Sequence, residues 1–470
     1  MNIENPLPAS ETYPSYDALW HLKTLGVLAA DSAPNGWSVE RCDPPTRVAI
    51  IDTSVAVEHP NLVGVVNRDL SLDLFSARLG SFSCFMDGKQ PIGNLPLEWE
   101  TDISDGLPHA RRLLTEFVDR LSIGSTAHYR GIKPCVSPTF STHGTCVAGL
   151  VGARPSIAAQ VDITGHISQL PLPYMGVDPT CEIVQISTNF DPHPESLLLA
   201  FLYAHLIKAD LILLPRAIPD PSRIVPELTD VMVGQQDLQQ ATRRVPLKPE
   251  EKEMWTELAQ LIVAVSKQCP VICAAGNANE ENAIYPANLA TDHNGIISVG
   301  AINAKGYRSS YSSPESATVF APSNDAEVFD RVEVRLDEMR PDYDAVGVPD
   351  TNSNHKFSSF DVIATDVPGR GGYSSSPFQQ EYPDMRLREF GSYFCRFGGT
   401  SAAAALVCGF LSLAISTGRL VKSDGLVAKA WLLANSHLIS SDTGDMMMPS
   451  WTGTPEFPDG PQTVCRVGAI

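Results

Sequence analysis

The chain has 470 residues, and 34 Lys and Arg against 54 Asp and Glu leave a formal net charge of −20. That balance argues against a basic nucleic-acid binder, while 43% hydrophobic and 19% charged residues is too apolar a mixture for a disordered chain. The length allows up to about three domains or one large domain with insertions.

Taken in chain order, the segment from Met1 to Ser15 is polar and Pro-containing, and the first basic residue is Lys23, so no export signal is read there. Residues 1–40 are expected to form an N-terminal arm and a first helix over Tyr16–Ala29. Apolar β-branched or Leu-rich runs predict strands at Arg47–Ile51, Glu182–Ile186, Leu211–Leu214, Val271–Ala275 and Ile296–Val299. Apolar residues at three- and four-residue spacing predict helices at Thr142–Gly152, Glu195–Lys208, Glu250–Lys267, Thr400–Thr417 and Gly425–Ser436. This alternation predicts an α/β fold: a doubly wound, mostly parallel sheet with helices on both faces. Stretches at about 67–140, 219–249 and 324–394 interrupt the pattern and read as long insertions, the first with a helix-like piece at Ala110–Leu121. One domain over 41–436 therefore absorbs most of the length, and 437–470 is expected to be a surface tail, irregular from Met446 to Ile470.

The apolar runs Leu197–Ile207 and Ala402–Ile415 are shorter than the ~18 to 20 residues of a membrane span, so no membrane partner is predicted. Ten cysteines occur without a CxxC pair or a dense framework. They read as buried thiols in a reducing, cytoplasmic compartment rather than as disulfide or zinc ligands.

Four motifs carry side chains of chemical interest. The strand Val48–Ile51 ends in Asp52, which places a carboxylate at the carboxyl end of a sheet. His143 opens the small-residue run Gly144-Thr145-Cys146-Val147-Ala148-Gly149 at the expected mouth of a helix. The strand Val271–Ala275 runs into Gly276-Asn277, delivering an amide donor of the kind that stabilises an oxyanion. Glycines 398 and 399 precede Thr400-Ser401, which puts Ser401 at a helix N-terminus where negative charge is favoured. Alone, each has an ordinary structural explanation: a turn cap, a polar helix residue, a Gly-Asn turn, an N-cap serine.

Together, in the order Asp, His, Asn, Ser, they resemble the subtilisin-like serine proteases, or subtilases. The similarity lies in Asp52-Thr53-Ser54 with His59-Pro60-Asn61-Leu62, in His143-Gly144-Thr145, in Ala275-Gly276-Asn277 and in Gly399-Thr400-Ser401. Weaker matches are Gly176-Val177-Asp178-Pro179, Tyr285-Pro286-Ala287 and Ile297–Ala301. The resemblance implies Ser401 as nucleophile, His143 as general base and then acid, Asp52 as its orienting partner, and Asn277 as an oxyanion donor with the Ser401 N–H. It also implies substrate contacts at Leu214, Arg216, Ala217 and Gly276, and chemistry that needs no metal or organic cofactor.

Several positions depart from the family. Ser54 stands where Gly is usual, and Ala405 where the serine helix normally has Pro. Pro215-Arg216 replaces the strand end that pairs with substrate backbone, so Arg216 is expected to meet an acidic substrate side chain or an acidic loop of the chain itself. Asn61 occupies an acidic position that helps hold a structural calcium in many subtilases, so no metal is predicted. With 51 residues before Asp52, too few for a full pro-segment, activity is expected to be regulated by the insertions or by a protein partner. The expected function is an intracellular endopeptidase acting on protein or peptide substrates. The alternatives are a weakly active or inactive scaffold that binds partners, and a peptide ligase or cyclase using the same residues.

Overall fold

The computed structural model describes residues 18–29, 43–68, 70–74, 83–84, 102–122, 138–161, 164–188, 192–218, 220, 249–325, 327–328, 334–335, 358, 360–367, 372, 393–441, 443–459 and 465–467. The first half of the chain contains α1 (Trp20–Thr24), β1 (Arg47–Asp52), β2 (Leu72–Asp73), β3 (Ser83–Cys84), α2 (Pro108–Ser122), α3 (Pro138–Gly152), β4 (Ser156–Val161), β5 (Ile167–Leu172), β6 (Glu182–Ser187), α4 (Pro194–Leu206) and β7 (Leu211–Leu214). Then come α5 (Pro249–Ser266), β8 (Val271–Ala274), β9 (Ile296–Ile302), β10 (Val319–Pro322), β11 (Glu327–Val328), β12 (Val334–Arg335), β13 (Val362–Thr365) and β14 (Phe394–Phe397). The chain continues through α6 (Gly399–Ser416), α7 (Gly425–Ala434), β15 (Ser436–Ser441), β16 (Gly444–Pro449) and β17 (Cys465–Val467).

The main sheet runs β10-β9-β8-β7-β1-β6-β2-β3, parallel except for β3, which pairs antiparallel with β2. Because side chains alternate across a strand, β1 feeds two cores at once. Val48 and Ile50 join one with residues of α1, α3, α6 and α7; Ala49 and Ile51 join the other with residues of α2, α4 and α5. Burial on both faces explains why the central strands read as continuous apolar runs. The α/β fold expected from the alternation is the fold observed.

α6 is the central helix. Every one of its 18 residues is buried, and by length and composition alone it would suffice to cross a membrane; here its apolar surface is covered by α3 and the sheet. Close approach is obtained with small residues: Gly409 lies so near Val177 that a Cβ there would collide with it.

Several expected boundaries move. Within the described residues the first helix is confined to Trp20–Thr24, because Gly26 takes a φ of +69° and ends it. α3 starts at Pro138 rather than Thr142, so His143 stands in its second turn and not at its mouth. The helical part of the first insertion is a core element: Leu113, Leu114 and Phe117 pack on α4 and α5, and Glu257 accepts the backbone N–H groups of His109 and Ala110 at its start. In the third insertion, Asn324, Asp325 and β13 are buried. Residues 444–449, expected as irregular surface, form a strand antiparallel to β15 with Met446 and Met448 in the core and Trp451 beneath Arg419. The 219–249 stretch lies almost wholly outside the described residues.

Candidate active site

The carboxyl ends of β1, β7 and β8 lie side by side in the sheet, and the loops that leave them bring three of the expected groups to one place. Asp52 ends β1 and is fully buried. Its Oδ1 accepts the Thr53 N–H at 2.7 Å, and its Oδ2 lies 2.7 Å from Nδ1 of His143. α3 can bring His143 this close because the next residue is Gly144: a Cβ there would strike the carbonyl oxygens of Thr53 and Ser54. The Gly144 N–H donates instead to Thr53 Oγ1 at 2.9 Å, and Phe397 of β14 meets the His143 ring edge-on at 5.3 Å. The imidazole is thus fixed by a carboxylate on one side and an aromatic ring on another.

Ser401 lies in the first turn of α6, 8% exposed. Its Oγ donates to the carbonyl oxygen of Pro215, just beyond β7, at 2.6 Å. A hydroxyl has one proton, so in this arrangement it is directed at Pro215 and not at His143.

The turn before Ser401 is held from several sides. Gly399 has a φ of +76°, and a Cβ on it would lie 2.8 Å from Asn277 Nδ2, so both conformation and space call for glycine. Its N–H donates to Tyr311 Oη at 3.1 Å and its carbonyl accepts from Ser323 Oγ at 2.9 Å. Asn277 Oδ1 accepts from the Thr400 N–H at 2.8 Å and from Thr400 Oγ1 at 2.9 Å. The amide oxygen of Asn277 is therefore occupied, while the residue itself is exposed and keeps its NH2 group as the donor it can offer. Thr53, Thr400, Tyr311, Ser323 and Phe397 were not singled out in the sequence. The threonines and Phe397 adjoin motif residues, which was the available signal; Tyr311 and Ser323 come from distant segments.

Of the expected substrate contacts, Leu214 is a fully buried core side chain that offers only backbone to the site, and Ala217 is half-buried. Gly276 commits its N–H to Thr400 Oγ1 at 3.0 Å, so it supports the serine turn. Arg216 differs most from expectation. It is 8% exposed, and its guanidinium donates to Thr188 Oγ1 beside β6, so it is neither a solvated strand-end residue nor open to an acidic substrate side chain.

The other departures also have structural answers. Ser54 needs no glycine, since it is not among the positive-φ residues, and Ala405 lies inside an unbroken α6. Asn61 is fully buried, and its Nδ2 approaches the carbonyl oxygens of Arg154, Leu172 and Tyr174 at 2.7, 3.0 and 3.2 Å. An amide donor sits where three backbone oxygens converge. Next to it, His59 accepts the Asn61 N–H on Nδ1 and meets the Tyr393 carbonyl with Nε2 at 2.9 Å, while burial lowers its pKa to about 4.

Residues 233–437 match the subtilase family. No curated protein matches the chain. Among solved structures, the chain is similar to the nisin leader peptidase NisP of Lactococcus lactis, at 14% identity over 93% of each chain with a TM-score of 0.48. It is similar to the epidermin leader peptide processing serine protease EpiP of Staphylococcus aureus, at 14% identity over 97% of this chain and 81% of that one, TM-score 0.47. A cold-adapted subtilisin-like serine proteinase shares 12% identity over 93% of this chain and 99% of its own, TM-score 0.45. The span 233–437, which carries Asn277 and Ser401, is thus the part of the chain that is similar to the subtilase family.

Proposed function

We propose that the chain is a serine endopeptidase that hydrolyses peptide bonds of protein substrates through an acyl-enzyme on Ser401. The observation that carries this reading is the 2.7 Å contact between buried Asp52 and Nδ1 of His143, which leaves Nε2 as the base. In the proposed cycle Ser401 Oγ turns away from Pro215, passes its proton to His143 Nε2 and attacks the substrate carbonyl carbon. Asn277 Nδ2 and the Ser401 N–H donate to the oxyanion. The C–N bond breaks as His143 protonates the leaving amine. Water then attacks the ester, with its proton taken up by His143 and returned to Ser401 Oγ as the acid product leaves. The Pro215 carbonyl, vacated by Ser401, becomes an acceptor for a substrate backbone N–H, so substrate binding and release of the nucleophile are one exchange.

The bond from Ser401 to Pro215 favours a second reading, a conditionally active enzyme whose nucleophile waits for a substrate or for a regulatory protein partner. The buried thiols of Cys146, Cys181, Cys269, Cys273, Cys395 and Cys408, none of them in a disulfide, support a reducing, cytoplasmic location. A fluorophosphonate probe tests both readings: labelling of the wild type and none of Ser401→Ala is expected, with co-purified proteins present or removed. No labelling under any condition would refute the protease reading. The mass of the peptide product, hydrolysed or joined, separates hydrolysis from ligation.

A further inference from the structure

A second cluster of reactive side chains lies directly behind His143 and takes no part in the proposed cycle. Cys146 is one turn along α3 from His143, and its Sγ is 3.5 Å from Sγ of Cys395 on β14, a residue 249 positions away in the chain. Asp366, just after β13, brings a carboxylate oxygen to the same point: the two sulfurs and this oxygen all lie within 4.8 Å of one another, and all three residues are buried. We propose that Cys146, Asp366 and Cys395 bind a thiophilic divalent cation, with zinc as the occupant.

The geometry fits such an ion. Two thiolates bound at about 2.3 Å to a tetrahedral zinc are roughly 3.8 Å apart, close to the sulfur spacing here, and the carboxylate oxygen lies within 4.8 Å of both sulfurs. Three protein ligands leave the fourth position to a water. A mixed sulfur and oxygen set favours zinc over calcium or magnesium, which take oxygen alone. The surroundings favour a cation as well. Asp52 and Asp366 both act on Cys146 with negative charge. Binding replaces the two S–H protons, which leave to solvent, and the ion takes up the two sulfur lone pairs; no oxidant or reductant enters.

The ion would fasten α3 to the hairpin of β13 and β14. Cys395 and Phe397 face the same side of β14, while Cys146 and His143 are three residues apart on α3. The ligand pair and the Phe397–His143 contact are therefore neighbouring rungs between the same two elements, so the ion acts as a positioning group for the His143 ring. The cluster could not be read from spacing, since none of its members forms a short-range motif with another.

The test uses the full chain expressed in zinc-supplemented medium. Plasma mass spectrometry should find about one zinc per chain in the wild type and in Ser401→Ala, and at least a tenfold loss in Cys146→Ser and in Cys395→Ser. X-ray absorption on the wild type alone should give two sulfurs at about 2.3 Å and lighter ligands at about 2.0 to 2.2 Å, which keeps the test decisive should a cysteine variant not fold. Protein from cobalt-supplemented medium should absorb in the near ultraviolet through thiolate-to-metal charge transfer. Less than about a tenth of an equivalent of metal with both thiols titratable after denaturation overturns the proposal. So does a Cys146–Cys395 disulfide found by mass, or zinc retained undiminished in both cysteine variants.

Discussion

The two halves of the candidate site are built to different degrees of readiness. On the β1–α3 side, Asp52 is buried with its carboxylate already on His143, and Gly144 and Phe397 fix the imidazole from behind. On the β8–α6 side, the turn carrying Ser401 is equally well held, yet the hydroxyl itself is bonded to Pro215. Backbone and ring positions are set by packing, whereas a serine hydroxyl needs only one torsion to change partners. Preorganisation therefore belongs to the Asp52–His143 pair, and the movable element is a single side-chain bond.

The strongest way to break this contrast is Asp52→Asn. It keeps the shape but leaves His143 with the wrong tautomer, and turnover should fall by about 10⁴ with probe labelling slowed in parallel. If turnover stayed within tenfold of wild type, the β1–α3 side would not be the prepared half. Asn277→Asp sharpens the other side, because the carboxylate still accepts from Thr400 but no longer donates. A loss of ~10² to 10³ in kcat with KM little changed is expected; a rise in KM with kcat unchanged would assign Asn277 to the ground state.

Asn61→Asp probes what fastens the loop after β1 to the end of α3. The change sets a buried carboxylate against the three carbonyl oxygens that Asn61 now donates to, and should cost about 3 to 4 kcal/mol in denaturant unfolding. Millimolar calcium should restore much of that stability in the variant, since four oxygens then converge on one point, and should leave the wild-type midpoint unmoved. An equal calcium response in the wild type would show that the Asn61 amide does not fill this place.

His59 joins the two halves through its bond to Tyr393, ahead of β14, and supplies a pH dependence. Its folded pKa of about 4 lies below the ordinary value of 6.5, so the unfolded chain binds more protons between those values. The sign follows: its contribution is complete above pH 6.5 and is lost as pH falls toward 4, by roughly 3 kcal/mol at the bottom of the window. Unfolding midpoints measured from pH 7 to 4 should flatten in His59→Gln relative to wild type. Identical slopes would remove His59 as the cause.

Much of the central sheet was legible because its strands are buried on both faces. The expected Leu211–Leu214 matches β7, and Arg47–Ile51 and Glu182–Ile186 each miss one terminal residue. Asp52, His143, Asn277 and Ser401 could be singled out because small residues and glycines mark where helices must approach strands. Edge elements were not legible: β16 is Met-rich and ends in Pro449, and its packing follows from pairing Met446 with Ile439 of β15 rather than from any local pattern. The helix over Tyr16–Ala29 was overextended because apolar spacing outweighed the stop signal at Gly26. The burial of Arg216 beside Thr188 was not legible, because it is set by β6, a strand that precedes it by a full helix.

The burial of α6 constrains how fast and at what cost the proposed enzyme can be switched on. With all 18 residues enclosed, the helix cannot slide without opening a cavity, so a shift of the nucleophile's backbone is excluded as an activation step. What remains is rotation of the Ser401 hydroxymethyl group out of one neutral hydrogen bond, worth about 0.5 to 1.5 kcal/mol, or a two- to tenfold population penalty. Side-chain rotation takes place in picoseconds to nanoseconds, far inside any catalytic turnover. A latch of that size yields once a substrate or partner takes the Pro215 carbonyl; stronger repression of the proposed enzyme would have to come from occupation of the cleft.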